Sequence, residues 1–142
     1  MTQNFSVRLA DWLRDEARLK AIRHQVFVVE QHVPQDLEWD GIDAECSHAL
    51  AEDFAGNAIG CGRLLADGHI GRMAVQADWR GKGVGGALLD YLVELAREAG
   101  HERVVLNAQV QAMPFYARRG FTPCGDAFDE AGIAHRAMER ML

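Results

Sequence analysis

At 142 residues the chain has room for one domain with a single core and not for two. Its net charge of −6 at pH 7 speaks against nucleic acid as the main partner, because a phosphate backbone selects basic surfaces, and it is compatible with a small cationic substrate. No apolar run approaches the roughly 20 residues of a membrane span, and Met1-Thr-Gln-Asn lacks a charged-then-apolar export pattern, so a cytoplasmic protein without membrane contact is expected. Cys46, Cys61 and Cys124 are irregularly spaced and form no C-x-x-C. They read as reduced core thiols, with neither a disulfide nor a metal site expected.

In chain order, Phe5, Val7 and Leu9 alternate with Ser6, Arg8 and Ala10 and predict a first strand. Asp11 or Asp15 can cap the helix that follows, which carries Ala17, Ala21, Ile22, Val26 and Phe27 on one side and ends near Glu30 or Gln31. Within it Arg23, Phe27 and Glu30 put a cation, an aromatic ring and an acid on adjacent turns, either as a substrate wall or as surface charges around core residues. Val33 to Glu45 gathers Asp36, Glu38, Asp40, Asp43 and Glu45 around Trp39. Such a run is either a solvated loop or the border of an acceptor pocket, where charge draws an amine and the indole face holds it. Ser47 to Glu52 and Ala58 to Ala66 predict two strands joined by a turn at Asp53 to Asn57, and Asp67-Gly68 turns into a third, His69 to Val75. This is an antiparallel meander.

Arg80-Gly-Lys-Gly-Val-Gly-Gly86 then opens a helix that ends near Gly100, with Val84, Leu88, Leu92 and Leu95 at helical spacing. Backbone N–H groups with few side chains in the way, at the positive end of a helix beside Arg80 and Lys82, predict a phosphate site. Gly81, Gly83 and Gly86 formally satisfy G-x-G-x-x-G, but Gln76 to Arg80 separate them from the strand, and no acid follows the next strand, Arg103 to Asn107. A P-loop is excluded because Gly83, not Ser or Thr, follows Lys82. The chain closes with a hairpin, Phe121 to Ala127 and Ile133 to Arg140, about Asp129 to Gly132.

Arg80, Gly83 and Gly85 fit Arg/Gln-x-x-Gly-x-Gly/Ala, and Ala112-Met-Pro-Phe-Tyr-Ala-Arg-Arg-Gly-Phe121 follows at a matching distance. In both landmarks the C-terminal half resembles the GCN5-related N-acetyltransferase (GNAT) family, and Val26-Phe-Val-Val-Glu-Gln31, Glu38-Trp-Asp40 and His48 look like its small bacterial acyltransferase branch. The resemblance implies an α/β fold: a mixed sheet with an antiparallel N-terminal meander, a splayed parallel pair and flanking helices. It also implies acetyl-CoA as cofactor, direct attack by the amine of a small molecule or an exposed amino group in a ternary complex, and a homodimer as a common assembly. Arg80, Gly81, Lys82, Gly83, Val84, Gly85 and Gly86 would hold the pyrophosphate. Met73, Ala74 and Val75 would pair with pantetheine, and the Val75 N–H would face the acyl carbonyl. Asn107, Gln109 and Phe115 would border the cofactor, Gln109 standing where many relatives have Asn. Tyr116 would give a proton to the leaving thiolate, or else be a packed aromatic beside Phe115 and Phe121. Glu30, Asp43, His48 and His135 are candidates to take the proton of the amine.

The N-terminal half carries a second resemblance. Arg23, Phe27, Trp39, Asp40, Asp43 and Cys61-Gly-Arg-Leu-Leu65 look like positions of acyl-homoserine-lactone synthases, which share the fold and use an acyl carrier protein donor. A third class, a non-catalytic acyl-CoA-binding module, would need the loop alone.

Overall fold

The computed structural model describes residues 4–142, folded around one seven-stranded sheet in the order β1-β2-β3-β4-β5-β7-β6. The strands are β1 Phe5–Ala10, β2 Ser47–Asp53, β3 Ala58–Leu64, β4 His69–Val75, β5 Arg103–Gln109, β6 Thr122–Glu130 and β7 Ile133–Met141. The helices are α1 Trp12–Arg23, α2 Gln35–Glu38, α3 Val84–Glu98 and α4 Met113–Ala117. Asp11 caps α1 by accepting from the Leu13 N–H, while Asp15 accepts from the Asp11 N–H at 2.9 Å, so both predicted caps are used. None of the described helices is long and apolar enough to cross a membrane.

Alternation along the strands sends side chains to two cores. Ala49, Ala51 and Ile59 meet Leu88, Leu89 and Leu92 of α3, whereas Leu50, Cys61 and Ala74 meet Leu19, Ile22 and Val26 on the α1 side. Gly62 lets α3 approach closely, since a Cβ there would lie 2.7 Å from Leu92 Cδ1. Of the three cysteines only Cys61 is a core thiol: Cys46 is half-buried and Cys124 is exposed, because β6 lies at the sheet edge with every residue open to solvent.

Two departures from regular structure shape the middle of the molecule. The first helix does not end as an α-helix. His24–Glu30 continues it as a wider π-helical segment in which the Gln31 N–H reaches back five residues to the Val26 carbonyl. The second departure is the parallel pair β4–β5, which is joined in register only at His69–Val105 and Ile70–Leu106. From Gly71 to Val75, β4 pairs with β3 alone and the sheet is split. The register of β6 on β7 also slips, between Pro123 and Ala127, before the two strands close through Ala131 and Gly132.

Candidate active site

The split in the sheet opens a cleft of about 610 Å³. Met73 of β4, Asn107 and Gln109 of β5, Tyr116 of α4, Phe27 of the π-helical segment and His135 of β7 all line it. The sequence separates these residues by as many as 108 positions, from Phe27 to His135, and the split gathers them.

On one side the cleft meets the glycine loop. The Gln76 N–H donates to Ile59 O on β3 at 2.9 Å, so the Val75 N–H, one residue earlier in an extended strand, points the other way, to the open edge. The Val75 carbonyl shares that direction and accepts from Arg80 Nε at 3.0 Å. The loop then turns through Gly81 and Gly83 at φ of +75° and +87°, the left-handed region, and Gly83 ends it as the N-cap of the 15-residue α3. Its N–H groups and the helix dipole favour an anion there. Gly85 faces the Phe115 ring, where a Cβ would lie 3.6 Å from it, and a Cβ on Gly86 would collide with the Arg119 guanidinium. Lys82 stays at the loop, its Nζ 5.1 Å from the Trp79 ring. Arg118, Arg119 and Arg140 border a second depression beside these first turns of α3, a basic feature that the loop motif does not signal.

Tyr116 lies in the cleft with its ring edge-on to Phe115 and Phe121, so the packed aromatic and the cleft-lining phenol are the same residue. Burial pushes its phenol up to about 12, which keeps it protonated at neutral pH. Gln109 donates to Gln31 Oε1 at 2.9 Å and ties the end of β5 to the π-helical segment.

The wall across from the loop differs from both sequence readings. Arg23 is 1% exposed and bonds to Glu38 Oε1 at 3.0 Å, to Asp43 Oδ1 at 2.7 Å and to the Glu38 carbonyl. Arg63 of β3 bonds to Asp40 and Asp43, and Arg72 of β4 approaches Glu38 and Asp40. The acidic stretch is therefore divided: Asp36 and Glu45 stay exposed as a solvated loop would have them, whereas three buried or half-buried arginines pair with Glu38, Asp40 and Asp43. Burial alone would raise the Asp43 carboxyl, but Arg23 and Arg63 hold it below the usual range, whereas for Glu38 burial wins and the shift is upward.

Four candidate residues change place accordingly. Arg23 is an anchor inside the fold, since its whole guanidinium is spent on Glu38, Asp43 and the ring of Trp39, 4.8 Å away. Trp39 lies against that group and 5.5 Å from Lys20 Nζ, so its ring already attracts two cations of the chain itself. Asp43 is 6% exposed, and its Oδ1 accepts from both Arg23 and Arg63. His48 is buried with Nε2 2.7 Å from the Asp43 carbonyl and its ring stacked on Trp12. Glu30 moves as well: its carboxylate accepts from Arg80 Nη2 at 2.8 Å, so it belongs to the loop rather than to the acceptor side. Of the four candidate bases, Glu30, Asp43, His48 and His135, the last alone lines the cleft. Its Nδ1 lies 2.7 Å from the Ile133 carbonyl, an acceptor, so Nδ1 carries the proton and Nε2 of the neutral ring is the free lone pair. Glu130 Oε2 stands 3.8 Å from that Nε2.

The sequence profile of the acetyltransferase (GNAT) domain matches residues 11–142. The chain is 36% identical over 132 residues to the uncharacterized N-acetyltransferase YjcF of Bacillus subtilis, covering 88% of this chain and 94% of that one. An acyl-CoA N-acyltransferase from Pseudomonas aeruginosa is similar in structure, with a TM-score of 0.84, 29% identity and coverage of 98% and 99% of the two chains. ElaA from Escherichia coli superposes with a TM-score of 0.85 at 28% identity, over 95% of this chain and 99% of that one.

Proposed function

The chain belongs to the GNAT acetyltransferase family and is an acyltransferase enzyme, and on that premise we propose that it transfers the acetyl group of acetyl-CoA to the amine of a small molecule or an exposed amino group. The observation that carries this reading is the unpaired edge of β4 running straight into the glycine loop. Pantetheine adds to Met73, Ala74 and Val75 as a further strand would, and the pyrophosphate rests on the N–H groups of Arg80 to Gly86. Asn107, Gln109 and Phe115 border the cofactor, and the depression at Arg118 and Arg119 receives its remaining phosphate charge.

In the reaction the amine nitrogen attacks the thioester carbonyl carbon. The Val75 N–H supports the oxyanion that forms. When the C–S bond breaks, the sulfur keeps the electron pair and takes the proton of the Tyr116 hydroxyl. His135 Nε2 accepts the proton that the nitrogen loses, and Glu130 steadies the imidazolium. Burial of Tyr116 favours its role, because an acid must still hold its proton when the thiolate appears.

Calorimetric titration with acetyl-CoA tests the reading. Micromolar binding by the native protein, lost in an Arg80→Ala, Gly83→Ala double variant, is the expected result. A native protein that takes up no heat from acetyl-CoA would overturn it.

A further inference from the structure

We propose that the acceptor carries a carboxylate as well as its amine, and that Arg72 receives that carboxylate in the cleft. The inference rests on the acetyl-transfer reading and deepens it. Its starting point is which polar groups in the wall are already satisfied. Both oxygens of Asp40, which with Glu38 lines the cleft, are occupied: Oδ1 accepts from the Ile42 N–H and Arg63 Nη1, and Oδ2 accepts from Arg63 Nη2 and Arg72 Nη2. The Glu38 and Asp43 side chains are 2% and 7% exposed and held by Arg23. On the Arg72 wall the two carboxylates that line the cleft, Glu38 and Asp40, are thus already paired with arginines, and the remaining cleft carboxylate, Glu130, stands beside His135 on β6.

The unmet groups are donors. Arg63 Nε is buried without an acceptor. Arg72 Nε lies 3.0 Å from Glu38 Oε2 as an ion pair but is not aligned to donate, and Arg72 Nη2 is spent on the carbonyls of Leu37 and Glu38 and on Asp40. Arg72 Nη1 has no protein acceptor among the described residues, while a quarter of the side chain stays open and lines the cleft. A guanidinium with one free nitrogen facing a cleft is suited to a planar anion.

The backbone supports the same assignment. Arg72 has φ of +50°, left-handed for a residue with a Cβ, at the point opposite Gly62 where β4 slips against β3. Such strain persists where the surroundings impose it, and it takes the arginine out of the regular alternation of the strand. Arg72 lies three residues before Val75 on β4, no more than about 10 Å along a strand, so one small molecule can reach both with its carboxylate and its amine.

Matched acceptors that differ only in the carboxylate test the inference on the native protein: β-alanine against propylamine, glycine against glycinamide, L-lysine against cadaverine, with release of coenzyme A thiol from acetyl-CoA as the readout. The acid of each pair should be preferred by about tenfold or more in kcat/KM, the scale of a charged hydrogen bond. In Arg72→Met the gap should shrink to about twofold, with Arg72→Lys between. Equal rates within the pairs, or a gap that survives Arg72→Met, would overturn the assignment. If no pair turns over, N-acetyl-β-alanine and N-propylacetamide are titrated into protein saturated with coenzyme A. Heat from the acid alone supports the subsite; heat from neither, or from both equally, overturns it. Arg72→Met touches the ion network, so its folding is checked by its melting curve, and the native pairs decide the matter without it. Failure of acetyl-CoA to bind sinks acetyl transfer and this inference together, whereas binding of acetyl-CoA with no carboxylate preference sinks this inference alone.

Discussion

The two sides of the cleft are made of different materials. The loop side is main chain: an unpaired strand edge, two left-handed glycines and the first turn of a long helix. The wall opposite is side chain: Arg23, Arg63 and Arg72 locked to Glu38, Asp40 and Asp43. A main-chain site depends on φ angles and space, so its residues are small and consecutive. A side-chain wall depends on every partner being present, because removing one leaves a charge buried and unpaired. The first should lose ligand when altered, and the second should lose stability.

The largest effect falls on the wall. Arg23→Ala is expected to cost about 3–5 kcal/mol in denaturant unfolding, while the protein that remains folded binds acetyl-CoA about as before. A cost below about 1 kcal/mol would break the contrast. Next is Tyr116→Phe, which keeps the packing and removes the proton: kcat should fall about 10²-fold in steady-state assays with little change in stability, and an unaltered kcat would remove Tyr116 from the mechanism. Gly83→Ala forces a Cβ into the left-handed region and should weaken acetyl-CoA binding about tenfold by calorimetry, with about 1–2 kcal/mol of strain.

Acid sharpens the comparison further. Hydrogen bonding from Arg63 holds the Asp40 carboxyl down at about 2, so the stability it contributes is present above about pH 4 and is lost as the pH falls toward 2. Glu38, shifted upward by burial, contributes with the opposite sign. Trp39 fluorescence should follow the loss, because its ring rests on Arg23, and Asp40→Asn should flatten the curve. The smallest signal is chemical. At pH 8 Cys124 should react with a thiol reagent at once, whereas Cys61, enclosed and pushed up to about 12 by burial, should wait for unfolding.

Much of the loop side was legible because its physics is local. Glycines after a strand and before a helical stripe leave few conformations, and Tyr116 came with the landmark that follows. The wall was not legible for the opposite reason. Arg23 sits in a helix where an arginine ordinarily faces water, and its partners Glu38 and Asp43 lie 15 and 20 residues further on. Of the positions that resembled another enzyme class, Arg23, Trp39, Asp40, Asp43 and Arg63 belong to or border one ion network, while Phe27 lines the cleft. One signal was available: Arg63 and Arg72 both stand in otherwise apolar strands, and a cation there needs an acid nearby. The π-helical segment had a weaker sign in Val-Phe-Val-Val, where apolar residues run on without helical spacing. His135 could not be told from His48, since both stand in strands and only the split in the sheet gives one of them a cleft.

The slip in β6 bears on how copies of this chain can meet. An open sheet edge nine residues long invites a second molecule to add a strand. Here Pro123 has no N–H to offer, the register breaks between Pro123 and Ala127, and Asp126, Asp129 and Glu130 place like charges along the same edge. Such an edge is expected to disfavour strand addition by a second copy, which would leave the face of β6 rather than its rim for any contact there.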